Sequence, residues 1–244
     1  MSRKTYWDTD RQFEQPSARQ LKENVAGTLQ KARGKGKTLH PVIVKGQRIA
    51  KSWWGSAWCE NLERYADYDN RLERGRRYLR TGTVIDLQIE KGCVSAKVQG
   101  RKKIPYRVDI RISPVNEAHV QRIMQECSTH VDSLERLLKG DFPDEMKELF
   151  LGEDGLFPTP REISFGCSCP DWALMCKHVA AVLYGIAVRF DEDPLLFFQL
   201  RGLDVDRFVS VTLENSVESM LSHADVDSDR IIRNEGWEEL FGVF

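Results

Sequence analysis

The sequence has no apolar segment long enough to cross a membrane. Its longest apolar run is Val179–Val188, ten residues that include Gly185, whereas a transmembrane helix needs about twenty. The first residues, Met1–Asp8, contain no apolar core of the kind found in signal peptides. We therefore predict a soluble, cytoplasmic protein that makes no contact with a membrane.

The motifs of several common enzyme classes are also missing. The chain has no G-x-S-x-G elbow, no phosphate-binding loop and no H-E-x-x-H zinc motif. Asp225, Asp227 and Asp229 alternate as in a calcium loop, but the required glycine and closing glutamate do not follow at the right offset. The sequence therefore predicts that the protein is not an enzyme.

The composition is that of a globular protein. Of the 244 residues, 41% are hydrophobic and 30% are charged, which excludes collagen-like and broadly disordered chains. A chain of this length can bury a core without disulfide bonds. We expect one large domain or two small ones.

Charge is distributed very unevenly. Residues 1–111 contain 25 Lys+Arg and 12 Asp+Glu, whereas residues 112–244 contain 11 and 25, so the balances are +13 and −14. This asymmetry favours a nucleic-acid surface on the basic half, or two partners of opposite charge. The alternative is that the two halves attract each other.

Regular alternation of apolar and polar residues marks three strands between residues 83 and 112. The alternating runs are Ile85–Glu90, Val94–Gln99 and Tyr106–Ile112, separated by short turns, which predicts an antiparallel meander with one buried face. We predict that basic residues on its open face, in the adjoining loop and just before it bind nucleic acid. They are Arg74, Arg76, Arg77, Arg80, Lys97, Arg101, Lys102, Lys103, Arg107 and Arg111.

Two helices and a short strand are expected before the meander. Apolar spacing predicts a helix over Ser17–Ala32, and a strand is expected at Val42–Lys45. The segment Trp53–Trp58 has three tryptophans in six residues and opens the second helix. These tryptophans are expected to anchor the core, or alternatively to form an exposed platform on which bases stack.

After the meander the chain is predicted to be helical. One apolar stripe follows residue 113 and ends at Gly140; it comprises Val120, Ile123, Met124, Cys127, Val131, Leu134 and Leu138. A short helix is expected at Pro143–Leu151, and the loop Gly152–Pro160 is the preferred domain boundary. The predicted regions are 1–112, 113–151, 152–190 and an acidic helical region, 191–244.

Three of the six cysteines lie within ten residues, and a histidine follows them. Cys167, Cys169, Cys176 and His178 supply three thiolates and one imidazole, which is the donor set of a closed structural Zn²⁺ site. The alternatives are a redox pair at Cys167 and Cys169, or three cysteines of the core. The other three, Cys59, Cys93 and Cys127, are expected to be reduced and at least half-buried.

These residues resemble a known family. The pattern Cys-x-Cys, six residues, then Cys-x-His before an apolar helix is similar to the SWIM zinc finger. Pro170-Asp171-Trp172 also fits the residues usually found between the two ligand pairs of that family. The resemblance implies a β-hairpin followed by a helix, with the four residues named above as zinc ligands. The wider chain, with Trp53-Trp54-Gly55-x-x-Trp58 before a basic β-rich region, resembles bacterial SWIM proteins associated with an SNF2-like helicase.

The sequence therefore predicts an α+β fold: a basic region with an antiparallel meander, a helical middle, and a C-terminal ββα zinc finger followed by helices. Two functions are expected. The first is a zinc protein that binds DNA or RNA through its basic half. The second is an adaptor that docks on an SNF2-like ATPase through its acidic half, without contacting nucleic acid.

Overall fold

A computed structural model describes residues 15–128, 155–204 and, beyond these ranges, single residues at 147, 151, 206, 207, 210, 214, 217, 218 and 221, with the side chains of 123–128 left out. The described residues form six helices and one sheet: α1 Ala18–Arg33, α2 Trp53–Glu63, α3 Asp69–Arg80, β1 Val84–Glu90, β2 Cys93–Val98, β3 Tyr106–Ile112, α4 Glu117–Ser128, β4 Ile163–Cys167, α5 Lys177–Glu192 and α6 Leu195–Leu200. None of these helices has the length and apolar character needed to span a membrane.

The sheet is antiparallel with strand order β1-β2-β3-β4, so the predicted meander is confirmed. Gly92 has a positive φ of 68° in the tight turn between β1 and β2, a conformation that glycine adopts at little cost. The fourth strand adds to the meander, because Phe165 of β4 pairs with Ile110 of β3. Residues on the two sides of the predicted boundary at Gly152–Pro160 therefore belong to one sheet.

The first helix is confirmed and the first strand is not. Ser17 caps α1 by accepting a hydrogen bond from the Gln20 backbone N–H, while the Gln20 side chain accepts from the Ser17 N–H. The predicted strand Val42–Lys45 has no strand ladder. Only two backbone bonds hold this region against β1, Val42 N–H to Val84 O and Leu87 N–H to His40 O.

Helix α5 is the central element of the core, buried from His178 to Val188. It crosses α3 closely, since a Cβ placed on Gly75 would lie 2.5 Å from the Ala180 Cβ. The sequence did not predict α3, because this arginine-rich segment has few apolar residues and buries a glycine at the crossing. The apolar helix expected after the Cys-x-His pair is confirmed, since α5 begins at Lys177.

The tryptophan-rich segment packs α2 against the middle and the C-terminal end of α5. Trp58 is fully buried and its indole N–H donates to the Leu183 carbonyl, while Trp54 donates to the Phe190 carbonyl. The Asp191 carboxylate accepts hydrogen bonds from the Ser52 backbone N–H and hydroxyl at the start of α2. The expectation of a core anchor is confirmed for Trp58, which cannot offer a surface to a base.

Other predictions fall partly or wholly outside the described residues. Helix α4 covers the beginning of the predicted stripe after residue 113, and Val120 is half-buried. The remainder of that stripe, most of Pro143–Leu151 and most of the region after residue 204 lie outside the described part of the chain.

Candidate metal centre

The four predicted zinc ligands converge on one point. One donor atom from each of Cys167, Cys169, Cys176 and His178 lies within 4.8 Å of all the others. The Nδ1 atom of His178 is 3.9 Å from both the Cys167 and the Cys176 sulfur. Donor atoms around a tetrahedral Zn²⁺ are about 3.6–3.8 Å apart, so a small contraction of this cluster would enclose the ion.

The backbone brings the ligands together from two elements. Cys167 is the last residue of β4, which pairs there with Val108 of β3. Cys176 is the N-cap of α5 and keeps an extended backbone, with φ −70° and ψ 165°. Because Cys176 is not yet helical, its side chain and that of His178 can approach the same point.

The segment between Cys169 and Cys176 is fastened to α3 and to the residues just before it. Arg71 of α3 forms an ion pair with Asp171 at 3.2 Å, and both side chains are largely buried. The Asp67 carboxylate accepts a 2.8 Å hydrogen bond from the Leu174 N–H. These contacts hold the loop in place between the two pairs of ligands.

The expected β-hairpin of the finger is not formed among these residues. Between residue 155 and α5 the structure has one strand, β4, and its partner is β3 of the meander. Beyond β4, the Ser168 N–H donates to the Arg107 carbonyl, and the Arg107 N–H donates to the Ser168 hydroxyl. The cluster is therefore built on the main sheet, because β4 pairs with the side of β3 that β2 does not occupy.

His178 is only 2% exposed and is enclosed by aromatic rings. Tyr106 lies against the imidazole with ring centroids 4.3 Å apart and an interplanar angle of 30°, and Tyr78 meets it edge-on at 5.4 Å. Burial lowers the pKa of His178 below its usual value, which favours the neutral imidazole that binds metals. The Nε2 atom is buried and has no hydrogen-bond partner among the described residues.

The three thiols form one electrostatic unit. Hydrogen bonds from Cys167 and then Cys176 lower the pKa of Cys169, and the same contact with Cys169 raises the pKa of Cys167. The Cys176 pKa is raised as well: the bond with Cys167 acts against the shift, but the bond with Cys169 and burial outweigh it. The three thiols, of which Cys176 is buried and the other two are half-buried, thus lie close enough to perturb one another's pKa, and a divalent cation would stabilise their thiolates.

The donor set and its geometry fit zinc better than the alternatives. A redox pair needs two cysteines, whereas here a third thiol and an imidazole approach the same point. Ordinary core cysteines point into apolar surroundings, as half-buried Cys59 does; burial raises the pKa of that thiol to about 12. Cys59 and Cys93 are free and half-buried as predicted, and the Cys127 side chain lies outside the described residues.

Half of the basic residues that were predicted to contact nucleic acid are engaged within the fold. Arg76 pairs with Glu63 and lies over the Tyr184 ring, and Lys97 pairs with buried Asp86 at 2.7 Å. The other three are arginines. Arg74 donates to the Gln15 side chain, Arg77 to the Pro16 carbonyl and Arg80 to the Gln47 carbonyl.

The other half is exposed. Five side chains make no hydrogen bond or ion pair within the described part of the chain: Arg101, Lys102, Lys103, Arg107 and Arg111. The first three follow Gly100, where an added Cβ would lie 3.5 Å from His178 Nε2. The open face of the sheet also carries exposed Glu90 and Asp109, so it is of mixed charge and the loop is its most basic part.

Sequence reasoning missed the residues that surround the ligands. Tyr78, Gly100 and Tyr106 enclose His178, and Asp67 and Arg71 hold the loop. Each is remote in sequence from the ligand or loop residue it contacts, and no local pattern marks it. Their positions depend on how α3 and β3 pack beside α5.

Comparison with known proteins identifies a relative but no family. No family model matches the chain, and no solved structure matches it. The chain is 43% identical over 159 residues to "Uncharacterized protein Rv2102" of Mycobacterium tuberculosis, an alignment that covers 63% of this chain and 56% of that protein. The chain therefore spans a little over half the length of the curated relative that it matches.

Proposed function

We propose that the chain is a zinc protein that binds nucleic acid, with a structural SWIM-type Zn²⁺ centre at Cys167, Cys169, Cys176 and His178. The donor set and its convergence within 4.8 Å support the metal. Such a centre has no open coordination position, so the ion stabilises the fold and does not act on a substrate.

The observation that carries nucleic-acid binding is the set of exposed, unpaired cations at Arg101–Lys103, Arg107 and Arg111. Unpaired Lys and Arg can neutralise phosphates and release counterions, which an engaged side chain such as Lys97 cannot do without first losing its carboxylate. We define Arg101, Lys102 and Lys103 as the basic loop.

The metal centre supports this surface. The basic loop begins beside His178 at Gly100, and the Gln99 amide donates to the Gly100 and Lys102 carbonyls. Tyr106, on the far side of the loop, packs on the imidazole. We therefore expect that removing zinc loosens the loop and weakens binding.

Charge reversal of the basic loop tests the proposal. The variant Arg101→Glu/Lys102→Glu/Lys103→Glu should weaken binding to a 20-base-pair duplex at least tenfold, measured by fluorescence anisotropy. Removing three phosphate contacts should also make the salt slope shallower by about 2.7. Zinc content and thermal unfolding should stay near those of the wild type.

The matched control is Lys37→Glu/Lys45→Glu/Arg48→Glu, an equal charge change at exposed residues outside the proposed surface. It should weaken binding by less than threefold. Equal losses in the two variants would show attraction to net charge alone. Absence of binding by the wild type to DNA or RNA, single- or double-stranded, at low salt would reject the proposal.

A second candidate is the adaptor that docks on an SNF2-like ATPase. The observation that favours a protein contact is the exposure of two large apolar side chains, Trp172 and Leu174. A pull-down of tagged protein with and without nuclease separates the two functions, because nuclease removes only partners bridged by nucleic acid.

A further inference from the structure

The loop between the two ligand pairs exposes an aromatic surface. Trp172 is 79% exposed, Leu174 75% and Tyr68 43%. The Tyr68 and Trp172 rings meet at 85° with centroids 5.8 Å apart. We call these three residues the aromatic patch.

The patch is held rigidly although it adds little to the core. The Arg71–Asp171 ion pair and the hydrogen bond from Leu174 N–H to Asp67 fix the loop from the side of α3. Cys169 and Cys176 fix its two ends. Because the backbone around this tryptophan is already ordered, little further conformational entropy is lost when a partner binds. This is typical of the anchor residues of binding surfaces.

Carboxylates surround the patch. Asp67 and Asp69 are exposed on either side of Tyr68, and Asp171 precedes Trp172. Arg71, the cation of the adjoining turn of α3, is engaged by Asp171 and largely buried. The local charge therefore opposes a phosphate backbone and favours a cation.

We propose that the aromatic patch binds a basic segment of a partner protein. An arginine or lysine side chain of the partner would lie against the indole of Trp172, where the ring face attracts a cation, with Asp69 close to its charge. An apolar neighbour in the segment would cover Leu174. This surface is separate from the basic loop, so the proposal does not depend on nucleic-acid binding.

The alternative ligand for this patch is a nucleic-acid base stacked on Trp172. Stacking on exposed aromatic rings occurs in proteins that bind single strands, but it accompanies a positively charged groove. At the aromatic patch, exposed carboxylates of Asp67 and Asp69 flank Tyr68. The two ligands can be distinguished with one spectroscopic probe.

The test follows the Trp172 indole signal by NMR in the zinc-loaded full chain, assigned with the variant Trp172→Phe. The probes are a ten-residue peptide with four arginines and two leucines, the same peptide with glutamates replacing the arginines, and a dT12 oligonucleotide. We expect the arginine peptide alone to shift the signal. Trp172→Ala should weaken its binding at least tenfold and Asp69→Asn about threefold.

Ile104→Ala is the matched control, because Ile104 is an equally exposed apolar residue beside the basic loop. It should leave peptide binding unchanged. The proposal is overturned if dT12 shifts the Trp172 signal and the arginine peptide does not, if both peptides act alike, or if no probe shifts it. The wild-type signal decides these outcomes even if a variant folds poorly.

Discussion

The two short motifs of this sequence are anchored at opposite ends of one helix, and they differ in what completes them. The tryptophan motif bonds to the middle and the C-terminal end of α5: Trp58 donates to the Leu183 carbonyl, Trp54 donates to the Phe190 carbonyl, and Asp191 accepts hydrogen bonds from Ser52, the N-cap of α2. At the N-terminal end, the three thiols and the Nδ1 atom of His178 face one another across a group of donors that lie within 4.8 Å. The donors of the first motif are paired within the protein, whereas those of the second form a group that could hold a metal ion.

That difference separates a structural motif from a binding site. A group paired within the fold stabilises it, whereas three thiols and an imidazole that converge on one point are typical of a metal site. The same criterion applies to the basic residues: Arg76 and Lys97 are paired within the fold, whereas the basic loop is not. Residue type alone does not distinguish a structural side chain from one that can bind a ligand, but its hydrogen-bond and ion-pair partners do.

Removal of zinc should have the largest effect on stability. It should destabilise the N-terminal end of α5 more than the end that packs against Trp58. Structural zinc binding is worth about 10–16 kcal/mol in small zinc-finger peptides, so a strong chelator should unfold β4 and the first turns of α5. Hydrogen exchange should rise there first, and later around Trp58. Uniform exchange along α5 would mean that the two ends unfold as one unit.

Trp58→Ala should damage the opposite end. Its ring is buried among Phe157, Phe190 and Phe197, and removing such a side chain costs about 3–5 kcal/mol. Denaturant unfolding should show this loss while one zinc ion stays bound. Loss of the metal in this variant would show that the metal centre depends on the Trp58 end of α5.

Gly75→Ala tests the helix crossing that supports the metal end. The added Cβ would lie 2.5 Å from Ala180, which forces α3 and α5 apart and should cost about 1–3 kcal/mol. Gly27→Ala is the control, because nothing lies within 4 Å of a Cβ added at that position in α1; it should be neutral or stabilising. A stable Gly75→Ala variant would contradict the tight crossing.

Glu162→Gln should have the smallest effect, and it depends on pH. Although burial raises the pKa of Glu162, hydrogen bonds from Thr159 and Arg201 lower it below its usual value, so ionised Glu162 stabilises the fold. This stabilisation, about 1 kcal/mol, is complete above the usual carboxyl pKa and is lost as the pH falls through the lower folded value. Stability curves of wild type and variant should differ at neutral pH and converge in acid.

The sequence predicted the features that depend on local pattern. Alternation located the strands around Ile89, Val94 and Ile110, and apolar spacing located α1. Ligand spacing located the cysteine cluster, because donors two residues apart in extended backbone can approach one ion. These signals all lie within a few consecutive residues.

What the sequence did not predict depends on contacts between distant segments. Helix α3 buries Gly75 against α5 between Leu72 and Tyr78, so its apolar stripe is short and is interrupted by a glycine. Strand β4 pairs with β3, which no local pattern in residues 163–167 indicates. For the same reason, the pairing of Lys97 with buried Asp86 became visible only once the register of β1 and β2 was known.

The most direct test of this account is the zinc content of the purified chain, measured by native mass spectrometry and elemental analysis. We predict one Zn²⁺ per chain in the wild type, in Trp58→Ala and in the basic-loop variant, and none in Cys176→Ser. Full zinc occupancy in Cys167→Ser/Cys176→Ser, or a wild-type protein that folds without any metal, would contradict it.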